Sequence, residues 1–194
     1  MLPTPGCLEA HFRFHIHNTK LTDVALGKVD WSPDLTVTPF MHWLTTSGVQ
    51  FKFDDLKSGG QTDFRRFYTA NISIKSAFLG SERFDERFHG WGFEDTGLGY
   101  RLTKKGMELK YFPEALVHHY HPMTDEKLEQ RMRSAGRNAV LFEKIHPKAH
   151  IIPGSSKRLI QKAIATLLPW TWYGKTKKGF LAGINEALRG LEKS

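Results

Sequence analysis

The sequence is short of the features that place a protein outside the cell or across a membrane. It holds one cysteine, Cys7, so no disulfide can form within the chain, and the expected compartment is reducing, namely the cytoplasm. No stretch approaches the roughly 18 uninterrupted apolar residues of a spanning helix, which argues against a transmembrane segment. The first residues, MLPTPGCLEAHFRFHIH, lack the charged-then-apolar order of a secretory signal. Internal repeats and low-complexity segments are also absent.

What is present is an ordinary globular mixture, 40% hydrophobic and 25% charged, with enough chain to bury one core, or one core and a small appendage. The net charge of +8 calls for an anionic partner: nucleic acid, acidic lipid or a phosphorylated small substrate. Much of the excess falls late, at Lys157, Arg158, Lys162, Lys175, Lys177, Lys178, Arg189 and Lys193. Charge is the only argument for nucleic acid, since none of the common recognition modules is legible; nucleic acid is not expected as a partner. The tail mixes these cations with Leu, Ile and the cluster Trp170, Trp172 and Tyr173, as helices lying on an anionic membrane do. Helices packing on the main domain would read the same way.

Periodicity divides the chain near residue 124, α/β before it and helical after it. Residues 7–17 have helical composition, DVALGKVDW (23–31) is a strand interrupted at Gly27, and TPFMHWLTT (38–46) is a short helix with Pro39 in its first turn. VQFKF (49–53) and FYTANISI (67–74) read as strands, and KSAFLGS as a helical turn. MELKYF and ALVHHY read as two strands separated by Pro113. A helix starting at Thr124 follows. The resulting domains are 1–123 and a helical extension, 124–194.

The stretch FDERFHGWGFEDTGLGYRLTKKG (84–106) stands apart. A helix there would carry Leu98 and Leu102 inward and end at Gly106, which puts Glu94 and Asp95 at its N-terminal end. Acids at that place are commonly caps that suit the helix dipole. A carboxylate kept ionised beside a glycine-hinged loop and an indole, Trp91, is also what a general base for a sugar hydroxyl requires. Trp91 itself reads equally as a core side chain or as an apolar platform.

From Phe67 to Pro122 the chain resembles inverting nucleotide-sugar transferases, the large glycosyltransferase family 2 and its galactosyltransferase-like relatives. Five parts carry the resemblance, in order: Thr69, Asn71 and Ser73; Phe84, Asp85 and Glu86; Trp91, Gly92, Glu94 and Asp95; Gly99 to Leu102; and His118 to His121. The resemblance implies a partial GT-A-type (nucleotide-diphospho-sugar transferase) α/β domain, its acceptor-side half, with a C-terminal helical extension. It implies that Asp95 is the catalytic base and that Glu94 orients the acceptor. Trp91 and Gly92 would close over the sugars, Asn71 would order the acceptor loop or touch substrate, and Arg101 would make an ion pair under the loop or contact a diphosphate. It further implies a nucleotide-sugar donor, a glycan or other hydroxyl acceptor, and Mn2+ or Mg2+ to neutralise the leaving diphosphate. His119, then His121, are the favoured metal ligands, because side chains alternate along a strand and these two share a face. The family's donor-binding half and its Asp-x-Asp pair have no counterpart here: Asp54 and Asp55 are adjacent and read as solvated loop. The sequence thus resembles a glycosyltransferase lacking its first half, whose alternative role is a non-catalytic glycan- or membrane-binding module or partner subunit.

Overall fold

The computed structural model describes residues 1–192; Lys193, counted above in the basic tail, lies outside the described residues. The chain forms two compact units, one of residues 1–84 and 95–123, the other of residues 85–94 and the chain from 124 onward.

The first unit is mixed α/β. Its elements are β1 (Leu2–Pro3), α1 (Cys7–His17), β2 (Asp23–Trp31), α2 (Pro39–Thr46), β3 (Gln61–Thr62), β4 (Ile72–Ile74), α3 (Ser76–Leu79), α4 (Glu94–Lys104, all but its first residue in this unit) and β5 (Glu108–His119). The sheet runs β1-β5-β2-β4, with β3 also on β5. Only β2 and β5 are parallel. Val24, Leu26, Leu102 and Leu109 are at most 1% exposed in its core, and burying each such side chain stabilises by about 1.5–3 kcal/mol. Leu98 and Leu102 face inward on α4, and Gly106 ends the turn beyond it at φ 90°, the left-handed region that suits glycine. Thr38 caps α2 by accepting from the Met41 amide, with Pro39 in the first turn.

Three sequence expectations give way here, each for a physical reason. First, β5 is one strand through Pro113 rather than two. Proline cannot donate to a ladder, and the sheet absorbs it in a bulge: Gly27 pairs with Phe112 and Lys28 with Leu116, leaving Pro113, Glu114 and Ala115 out of register. A bulge leaves ladder groups to be satisfied elsewhere. The Asn71 amide does this, donating to the carbonyls of Lys28 and Ala115 at 2.8 Å each, while its oxygen meets His11 Nε2 at 2.8 Å. Gly27 has to be glycine, since a Cβ would strike the Asn71 amide and the Ala115 carbonyl. Second, residues 67–74 are not a continuous strand: Thr69–Asn71 forms a 3-10 turn, and pairing with β2 begins at Ile72. Third, residues 49–53 alternate like a strand without pairing as one. Their rings pack instead, Phe51 and Phe53 on Tyr68 at 5.3 and 5.6 Å and Phe53 on Tyr111 at 5.5 Å.

The second unit contains α5 (Leu128–Ile145), α6 (Ser155–Leu167) and α7 (Trp172–Leu191). Helix α5 starts at Leu128, not at Thr124 as the sequence suggests, and the acid just after Thr124 is engaged away from a helix start. Asp125 accepts from Trp172 Nε1 at 3.2 Å and from Lys175 Nζ at 2.6 Å, tying the entry of α5 to the start of α7. Helices α5 and α7 pack closely: the Gly183 Cα faces the Arg133 carbonyl with no room for a Cβ.

Replacing Asn71 by alanine strips two buried carbonyls of their donors. A loss of about 2–4 kcal/mol in chemical denaturation is expected, and Gly27→Ala should destabilise comparably through the same collision.

Candidate active site

Glu94 and Asp95 are the first two residues of α4. Asp95 is half-buried and accepts two hydrogen bonds from one residue: the Thr69 amide at 3.0 Å and the Thr69 hydroxyl at 2.5 Å. Thr69 opens the 3-10 turn that Asn71 closes, so the amide that seals the bulge also fixes the residue that orients this carboxylate. Asp95 therefore does not act as a simple cap on the amides of its own helix. Burial pushes its carboxyl above the usual aspartate range, and the two Thr69 bonds, which favour the ionised form, offset this only in part. The outcome is an oriented carboxylate with raised proton affinity at a helix N-terminus, where a negative charge is favoured.

The parallel register sets Trp31 opposite His119, with ring centroids 5.1 Å apart. His121 follows at 5.9 Å from His119, so the two imidazoles expected to share a face do come together. His119 Nδ1 and Trp31 Nε1 are buried with no hydrogen-bond partner among the described residues. Burial, aided by the neighbouring His121, lowers the His119 pKa, which favours the neutral imidazole that metal ligation requires. Among the described residues, no group of three His, Cys, Asp or Glu side chains could hold a metal ion.

The remaining sequence candidates of this unit are committed to structure. Asn71 is 6% exposed, with its amide spent on the sheet carbonyls; its position inside the bulge accounts for an amide at this place. Arg101 donates to Glu82 at 2.8 Å and to the Arg83 carbonyl. With Lys105 it holds the Glu82 carboxyl below its usual range. Asp55 pairs with Arg66 at 2.8 Å on the surface.

Trp91 and Gly92 belong to the second unit, in the loop Asp85–Glu94. Its backbone takes three left-handed conformations, at Gly90, Gly92 and Phe93, the last costly for a residue with a side chain. Two residues of α5 pin the backbone of this glycine-hinged loop. Asn138 Nδ2 donates to the carbonyls of His89 at 3.0 Å and Gly92 at 2.8 Å, and Ser134 Oγ accepts from the Trp91 amide at 2.9 Å. Sequence reasoning missed both. The signal was available: a polar pair spaced i, i+4 on the face of α5 that buries Met132, Ala135, Ala139 and Phe142 is out of place unless it has a partner.

Comparison with known proteins agrees with the part of the chain that holds Asp95. Residues 65–126 match the family model described as N-terminal domain of galactosyltransferase. A hyaluronan synthase of Pasteurella multocida is 35% identical over 79 residues, 40% of this chain and 8% of that protein. A chondroitin synthase of Escherichia coli is 35% identical over 78 residues, 40% of this chain and 11% of that protein. A chondroitin synthase of Pasteurella multocida (strain Pm70) is 33% identical over 79 residues. The chain thus carries a glycosyltransferase-like domain, and its match spans about a tenth of the length of these curated relatives.

Because the Thr69 hydroxyl favours the charged form of Asp95, Thr69→Val should move the Asp95 titration still higher. Carboxyl NMR of wild type and variant reads this directly; an unchanged or lowered midpoint would contradict the assigned bond.

Proposed function

We propose that the chain is the acceptor-side portion of an inverting glycosyltransferase that transfers a sugar from a nucleotide-sugar donor to the hydroxyl of a glycan. One observation carries this reading: within the segment that matches a galactosyltransferase model, a helix-start carboxylate is oriented by Thr69 and made more basic by burial. In this role Asp95 accepts the proton of an acceptor hydroxyl as that oxygen bonds to the anomeric carbon. The bond from that carbon to the nucleoside diphosphate breaks in the same displacement, its electron pair leaving with the diphosphate, and the configuration inverts. Raised proton affinity suits a base working near neutrality. Glu94, next in sequence, would orient the acceptor, and the Trp91 indole would offer an apolar face to a sugar ring. The names of the relatives point to a polysaccharide such as hyaluronan or chondroitin as acceptor.

A divalent ion, Mn2+ or Mg2+, would neutralise the leaving diphosphate. The residues present fit it incompletely: His119 and His121 supply imidazoles, and the unpartnered Nδ1 of His119 supports the assignment, but the remaining ligands must come from outside the described residues. That shortfall, with the pinned loop, favours one second reading: a non-catalytic glycan-binding module or partner subunit that keeps the fold of a transferase. In either case the setting we propose is cytoplasmic, with peripheral membrane contact through the basic tail.

Incubation with a panel of nucleotide-diphospho-sugars and manganese, scored by nucleoside diphosphate release with and without oligosaccharide acceptors, tests the enzyme reading. Turnover that falls about 100-fold or more in Asp95→Asn is the expected result. A folded chain inert toward every donor, yet retained on a glycan matrix, would move the assignment to the second reading.

A further inference from the structure

Helix α6 is amphipathic, but it is turned the wrong way to serve packing. None of its residues is buried. The apolar side chains that share one face at helical spacing, Leu159, Ile160, Ala163 and Leu167, are the exposed ones, with Leu159 68%, Ile160 61% and Leu167 69% accessible. Arg158 and Gln161, on the other side, are half-buried. A soluble helix gains by burying its apolar stripe against the protein, at about 25 cal/mol per Å² of apolar surface, and α6 leaves most of that gain unused: of its large apolar side chains only Ile164 is half-buried. The exposed apolar surface continues past the helix end through Leu168 and Trp170, the latter 71% accessible.

The charge around this stripe narrows the choice of what covers it. From Lys144 to Asn185 the chain has no aspartate or glutamate and eight Lys or Arg residues. Lys157 and Lys162 lie about 60° to either side of the stripe at 100° per residue. Arg158 and Lys162 line an open groove of about 680 Å³ between α6 and α7, with Leu159 at its edge. A third cation of the groove, Lys178, is paired with Glu129. Among the described residues, Lys157, Arg158 and Lys162 have no ion-pair partner. A protein helix docking on the stripe would need acids to meet these cations. A bilayer containing anionic phospholipid meets both demands at once, taking the leucines below the headgroups while the flanking lysines reach phosphates. No helix among the described residues is long and apolar enough to cross a membrane, so insertion would be in the plane of the interface.

We propose that α6 and the Leu168–Trp170 segment are the membrane-binding surface of this protein, selective for anionic phospholipid. The inference makes specific the tail contact in the reading above, and it stands apart from the chemistry assigned to Asp95. Cosedimentation of the full chain with phosphatidylcholine vesicles, with and without phosphatidylglycerol, tests it. Binding should require phosphatidylglycerol and fall steeply as salt shortens the screening length. It should also weaken about tenfold or more in Leu159→Glu, an exposed position where circular dichroism should remain that of wild type. Trp170→Phe should remove most of the blue shift in tryptophan emission on vesicle addition. Equal binding to pure phosphatidylcholine, no binding at low salt, or unchanged binding of Leu159→Glu would each overturn the proposal. So would a self-association of the wild type that Leu159→Glu abolishes, since it would assign the stripe to a second copy. Asp95→Asn should bind vesicles like wild type, which separates failure of this inference from failure of the transferase reading.

Discussion

The buried amide of Asn71 is the interaction on which the α/β unit depends. Pro113 cannot donate to the sheet, the ladder between β2 and β5 slips around it, and two carbonyls are left facing the interior. One side chain satisfies both, and Gly27 makes room for it. The register beyond the bulge then follows, and with it the pairing of Trp31 with His119. Because Asn71 also closes the turn that Thr69 opens, the strain imposed by a proline in one strand is relieved by the same residue that steadies the contact to Asp95.

Desolvation and hydrogen bonding act on Asp95 in opposite directions, and desolvation is the larger. A carboxylate with many donors would be well held but weakly basic; one with none would be basic but unoriented. Two bonds from a single threonine lie between these extremes. In the helical unit the same economy recurs at Asn138 and Ser134, which spend buried polar groups on backbone atoms of the loop bearing Trp91. Buried polar side chains thus serve to hold irregular backbone in both units, where regular ladders cannot.

The regular elements were legible where local chemistry is strong. Residues 7–17 and 23–31 are a helix and a strand with the bounds read from composition and pattern, Thr38 and Pro39 open α2, and Gly106 closes the turn after α4. Elements that depend on partners were misread. Residues 49–53 alternate as a strand does, but their phenylalanines are taken up by Tyr68 and Tyr111. The helix expected from Thr124 begins later, at Leu128, and Asp125 bonds to Trp172 and Lys175 instead.

By itself the sequence determined the class of the fold, the helix start that carries Glu94 and Asp95, and the nearness of His119 and His121, since each follows from the spacing of neighbouring residues. The tertiary structure alone decided the contacts between distant residues: that Asn71 fills a bulge, that Thr69 is the partner of Asp95, that Asn138 holds the tryptophan loop, and that α6 turns its leucines to solvent. Each of these depends on which unsatisfied backbone group or apolar face lies nearby once the chain has folded, and separation along the sequence carries no record of that.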